Sequence, residues 1–124
     1  MLNELSKEIH ENAKSKGFYE DKKNTGEMLA LIHSEVSEAL EADRLKRYCQ
    51  LSKPDQNVLM GWTHDNAFKI DYKDKVKGSF DEEMADIIIR VLDMCAFKDI
   101  DIDLHIKAKM RYNSAREHKH GKAY

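Results

Sequence analysis

The sequence predicts an all-α protein built on a four-helix core. Three observations carry that reading. Apolar residues recur at spacings of three and four along most of the chain, the period of an amphipathic helix. One proline and five glycines leave little of the punctuation that a β-sandwich or a loop-rich fold needs. Charged residues are 35% of the chain, which suits long helices with solvated faces. The 124 residues fit one domain spanning 1–124, with a modest core.

The first helix is expected from Leu2 to Lys16, because Leu2, Leu5, Ile9 and Ala13 make one stripe. Gly17 is its natural C-cap. Phe18 and Tyr19 follow, then a polar stretch to Asn24. Thr25 is positioned to cap a second helix running from about Gly26 to Arg47. From Tyr48 to Ser79 the apolar residues lose their helical period, and Pro54, Gly61 and Gly78 interrupt the chain. This segment reads as a long irregular connection between the second and third helices. A connection of that length in a compact domain suggests a functional or oligomer-contacting role. Ser79-Phe80-Asp81-Glu82 forms a capping-box pattern that starts a third helix, Asp81 to Phe97. Asp101 or Asp103 caps the last helix, expected to end near Glu117.

Composition excludes several roles. Twenty-one basic residues against 23 acidic ones leave a formal charge of −2. That is no electrostatic footprint for duplex nucleic acid or an anionic membrane. Cys49 and Cys95 are far apart and make neither a CxxC pair nor a zinc spacing. The first helix is charged throughout, without the apolar core of a secretory signal, and no run approaches the ~18 apolar residues of a membrane span. The expectation is a cytoplasmic, reduced protein.

The acidic residues of the second and third helices sit where a solvated surface would not put them. An α-helix turns about 100° per residue. With Glu35 at zero, Met28 and Ala39 fall within roughly 40° on one side and Leu31 within roughly 40° on the other. Ile32 and Val36 extend this arc, and Glu38 follows at i+3. With Glu83 at zero, Ile87 and Met94 flank one side, Phe97 and Arg90 the other, and Asp86 follows at i+3. The third helix is apolar nearly all round, which in so small a domain points to packing against another subunit. One i,i+3 acidic pair is usually a solvated face or a set of salt-bridge partners. Two pairs, each inside an apolar face, are harder to explain that way. Packed together they would repel unless a cation joins them. Mg²⁺ fits oxygen ligands best, with Mn²⁺ as a substitute.

Glu35-x-x-Glu38 and Glu83-x-x-Asp86 together resemble the E-x-x-E…E-x-x-D signature of the MazG-like all-α nucleoside triphosphate pyrophosphohydrolases. The stretch from Gly26 to Glu41 is similar to the second helix of phage and bacterial members, and Asp81 to Ile87 to the third. Lys109-Met110-Arg111-Tyr112-Asn113 resembles the K-M-x-x-N element of the last helix. The resemblance covers most of the chain outside the middle segment. It implies a four-helix core assembled as a homodimer or homotetramer, and Mg²⁺-dependent conversion of (d)NTP to (d)NMP and pyrophosphate. It implies Glu35, Glu38, Glu83 and Asp86 as metal ligands, with the catalytic base among Glu35, Glu38 and Glu83. Lys109 and Asn113 would contact the nucleotide. The gap between the two acidic motifs is longer than in compact members.

The last helix places Ile102, Ile106, Lys109, Asn113 and Arg116 on one face, so Arg116 joins the expected substrate contacts. Without the resemblance, Lys109 and Arg116 would read as solvated. Tyr19, with Phe18, offers a ring for stacking on a base, although a core plug at a helix end is the commoner fate. Arg90, at i+4 from Asp86, is expected to pair with it. His118-x-His120 has a transition-metal spacing, but a tail histidine pair is more often inert. A dUTP pyrophosphatase, a phosphoribosyl-ATP pyrophosphatase and a non-catalytic oligomerisation or binding module remain alternatives.

Overall fold

The computed structural model describes residues 1–116, and among them the chain is all-helical with no strand. Six helices replace the expected four: α1 Leu2–Ser15, α2 Thr25–Arg44, α3 Lys53–Gly61, α4 Asp65–Lys75, α5 Phe80–Phe97 and α6 Ile102–Ser114. No described helix is long and apolar enough to cross a membrane. The chain divides into two compact units, Asn24–Arg90 and a second made of Met1–Lys23 with the residues from Val91 onward. The expected histidine pair, His118 and His120, and the expected helix end at Glu117 lie outside the described residues; α6 itself stops at Ser114.

In the unit Asn24–Arg90, the cap of α2 is Asn24, not Thr25. The Asn24 carboxamide oxygen accepts from Gly26 N at 2.7 Å and Glu27 N at 3.2 Å, satisfying two of the orphan amides of the first turn. The helix ends three residues earlier than expected. Lys46 takes φ 55°, and Arg47 N bonds back to Ala42 O at 2.8 Å, a Schellman closure made without glycine. The buried residues of α2 are Met28, Glu35, Ala39 and Ala42; Leu31 and Val36 of the expected apolar arc are exposed.

The segment expected to be irregular contains α3 and α4, which pack on each other. Pro54 opens α3 instead of breaking it. Ser52 and Asp55 form a reciprocal capping box around it, at 3.2 and 3.3 Å. Both helices are short, and Val58, Met60 and Ile70 are exposed while Leu59 is buried, so no long periodic stripe marks them. Two bonds tie the chain before α3 to the start of α5: Phe80 N to Arg47 O at 2.7 Å and Cys49 N to Asp81 Oδ2 at 2.7 Å. The capping box expected at α5 is only half formed. Ser79 Oγ accepts from Glu82 N at 3.1 Å, but the Glu82 carboxylate accepts from Gly78 N, one residue further back.

In the other unit, α1 closes as expected from Gly17. That residue adopts φ 85°, with Phe18 N bonded to Ala13 O and Gly17 N to Lys14 O, both at 3.1 Å. The starts of α1 and α6 cap each other. Asn3 Oδ1 accepts from Ile102 N at 2.9 Å and from Asp103 N at 3.3 Å. Asp103 returns the bond, accepting from Leu2 N and Asn3 N at 3.0 Å each. The Asn3 backbone N–H, followed by other donors of that turn, holds the Asp103 carboxyl down to about 2. Asp101, not Asp103, caps α6 from within, through Leu104 N at 3.1 Å. Asn3→Ala should therefore uncap the start of α6, leaving the Asp103 cap of α1 in place, and cost about 1 kcal/mol. A urea midpoint unchanged from the parent protein would refute the reciprocal cap.

Candidate metal centre

Helices α2 and α5 bring the four expected carboxylates into two overlapping groups. Glu35, Glu38 and Glu83 each offer an oxygen within 4.8 Å of the others, and so do Glu82, Glu83 and Asp86. Glu83 is common to both. Oxygens this close together are within reach of one shared hard cation. Both groups contain carboxylates alone, the donor set of a hard cation and not of zinc or copper.

Burial is uneven. Glu35 is 7% exposed and Glu83 9%, whereas Glu38 is open to solvent. Glu35 has a cationic partner: Arg90 Nε donates to Glu35 Oε1 at 2.7 Å. The expectation that Arg90 pairs with Asp86 one turn away is thus corrected. The arginine reaches across to α2, where a buried carboxylate would otherwise stand unpaired. Glu83 has no such relief. Its Oε2 is buried and has no hydrogen-bond partner. A buried acceptor left unsatisfied costs on the order of 1–3 kcal/mol, more when charged. A proton, an ordered water or a cation would each satisfy such an atom.

The acidities follow this layout. Burial, and then the charge of Glu38, raise the Glu83 carboxyl to about 7. Burial pushes Asp86 up as well, aided by the charge of Glu35. Burial acts on Glu35 in the same sense, but the Arg90 guanidinium leads the hydrogen bonds that outweigh it, and Glu35 ends below the usual carboxylate range. Glu83 is therefore the carboxyl of this cluster that takes up a proton near neutral pH, because burial and the charge beside it disfavour its ionised form. A hard divalent cation fits the donor set and would satisfy the orphan oxygen.

No protein-family model, curated protein or solved structure matches this chain.

The remaining expected site residues belong to the other unit. Lys109 is exposed, with Nζ 5.1 Å from the Tyr112 ring centroid, and the Arg116 guanidinium lies 5.4 Å from the same ring. Both cations thus border one exposed aromatic face on α6, with Asn113 half-buried beside them in sequence. Tyr19 serves a polar cluster. Its hydroxyl donates to Asp93 Oδ2 at 2.6 Å, His10 Nδ1 bonds Asp93 Oδ1 at 2.8 Å, and the Tyr19 ring meets His10 edge-on and Phe97 at 5.1 Å. Phe18, by contrast, is exposed. Two features escaped the sequence reading. Glu82 belongs to the carboxylate cluster, and the only trace of this is its place before Glu83. The Arg90–Glu35 pair spans two helices and leaves no local signal.

Proposed function

We propose that this protein hydrolyses nucleoside triphosphates to monophosphates and pyrophosphate with Mg²⁺, in the manner of the MazG-like enzymes its motifs resemble. The observation that carries the reading is the buried, unpartnered Glu83 oxygen at the junction of two carboxylate groups. Glu35, Glu38, Glu83 and Asp86 would hold the cation, and Mn²⁺ would be accepted in its place. When bound, Mg²⁺ neutralises phosphate oxygens and makes a coordinated water more acidic. A water oxygen attacks the α-phosphorus, the bond to the bridging oxygen of the β-phosphate breaks, and pyrophosphate leaves. The proton of the attacking water passes to a carboxylate, for which Glu35, Glu38 and Glu83 are the candidates.

A homodimer or homotetramer is part of the same proposal. Ile88, on the helix that carries Glu83 and Asp86, is 53% exposed, and Leu29 and Leu40 of α2 are about half exposed. No large described side chain is fully buried in the single chain. A second copy is the natural cover for such apolar surface.

One observation favours a second reading. Glu35 is already neutralised by Arg90 without any cation, as in a non-catalytic helical assembly module. A panel of NTPs and dNTPs, with and without Mg²⁺, decides between the two. Pyrophosphate as first product, only with Mg²⁺, is the expected result; orthophosphate as first product would refute the bond assignment. The same panel with dUTP and phosphoribosyl-ATP separates the related pyrophosphatases. No turnover at all would favour the assembly module.

A further inference from the structure

The helix pair between α2 and α5 reaches the acidic cluster through one residue. Tyr72 of α4 donates its hydroxyl to Glu82 Oε2, and Gly78 N donates to Glu82 Oε1 at 2.9 Å. The Glu82 backbone is held in turn by Ser79 Oγ. Glu82 is therefore fixed from three directions. It is fixed in a pose that keeps one of its oxygens within 4.8 Å of those of Glu83 and Asp86.

An ionised carboxylate has about four acceptor sites on its two oxygens. The bonds from Tyr72 and Gly78 use two, so Glu82 can still offer a lone pair to a cation. Hydrogen bonds of this kind are what orient ligating carboxylates in metal sites. Independently, Glu83 Oε2 is buried and lacks a partner, so the residue that Glu82 adjoins has an oxygen that a ligand would satisfy. Burial, and then the Glu82 carboxylate, keep the Tyr72 phenol well above its usual range, so it remains a donor at neutral pH.

We propose that Glu82 is a further ligand of the cation held at Glu83 and Asp86, and that Tyr72 is the residue that positions it. This rests on the cation-centre reading above, and it gives the α3–α4 pair a role in that centre. Tyr72 acts through Glu82 and touches no reacting atom.

The test is Mg²⁺ titration by calorimetry and Mn²⁺ titration by EPR on the full chain, with far-UV CD as the check on folding. Tyr72→Phe should weaken cation binding about tenfold, within the range found for lost outer-shell partners. Glu82→Gln should weaken it at least as much. If Tyr72 works through Glu82, the double variant binds no more weakly than Glu82→Gln alone. Tyr48→Phe, which removes a hydroxyl bonded to Asp43, should bind as the parent does. Unaltered binding in both Tyr72→Phe and Glu82→Gln would overturn this inference and leave the cation centre standing. Additive losses in the double variant would overturn the positioning role. Absence of Mg²⁺ and Mn²⁺ binding in the parent protein would overturn the cation centre itself.

Discussion

Glu38→Ala and Asp86→Ala are expected to reduce Mg²⁺-dependent pyrophosphate release by at least about a thousandfold, roughly 4 kcal/mol of transition-state stabilisation. The far-UV CD signal should persist in both. Each change removes one negative charge from a cluster in which Glu83 and Asp86 already sit above their usual range. Losing such a charge relieves repulsion, so the cation-free fold should not suffer. An ordinary structural salt bridge behaves in the opposite way: removing one partner leaves the other buried and uncompensated, at a cost of about 3–5 kcal/mol. The two positions therefore separate a ligand role from a structural one. Glu38 is the sharper test, because it is exposed and has no packing to lose. Turnover near the parent level in either variant would sink the assignment of these residues to the cation.

Without divalent cations, the protein should become less stable as the pH rises from about 5 to about 8. Glu83 has an ordinary value of 4.5 and a folded value of about 7. Between the two, the folded state holds a proton that the unfolded chain has released. The stabilisation from that proton is complete below about 4.5 and lost above about 7. Asp86, also raised, adds in the same sense. Glu35 is lowered, so its contribution is present throughout this window and fails only in more acid solution. Glu83→Gln supplies a permanently neutral isostere. It should flatten the profile and be more stable than the parent at pH 8 by up to about 3 kcal/mol. Saturating Mg²⁺ should flatten the parent profile and leave the Gln variant unchanged. Urea midpoints at pH 5 and pH 8, in EDTA and in Mg²⁺, measure all four cases. A parent profile in EDTA that matches Glu83→Gln would show that the Glu83 proton carries no such weight.

Much of this arrangement was legible in the residues themselves. The three-and-four periodicity located α1, α2, α5 and α6 to within a few residues. Gly17 marked the end of α1 because a left-handed residue is easiest for glycine. The same closure after α2 and α5 uses Lys46 and Asp99, both at φ 55°, and no composition cue announces them. The α3–α4 pair was missed for a related reason. Pro54 reads as a breaker unless the Ser52–Asp55 box around it is recognised, and then it reads as a first-turn residue. The helical projection placed Glu35 and Glu83 on buried faces correctly, since burial along one helix is a one-dimensional property of its sequence. It misjudged Leu31 and Val36, because how far the buried stripe extends depends on what packs against it.

The sequence by itself determined that this chain is helical, and that two acidic pairs ride on helix faces that carry apolar residues. Those are consequences of local backbone geometry, repeated every 3.6 residues. Only the tertiary structure decided the partners. Arg90 could have turned back to Asp86, four residues away, but bonds Glu35, 55 positions away in the chain. Asp103 could have capped its own helix, but caps α1. Glu82 could have closed its own capping box, but faces Tyr72 and Gly78. For Arg90 the physical reason is desolvation: Glu35 is buried and would stand unpaired, and the arginine relieves it. For Asp103 and Glu82 it is the orphan amides that the fold brings beside them, those of Leu2 and Asn3 and that of Gly78.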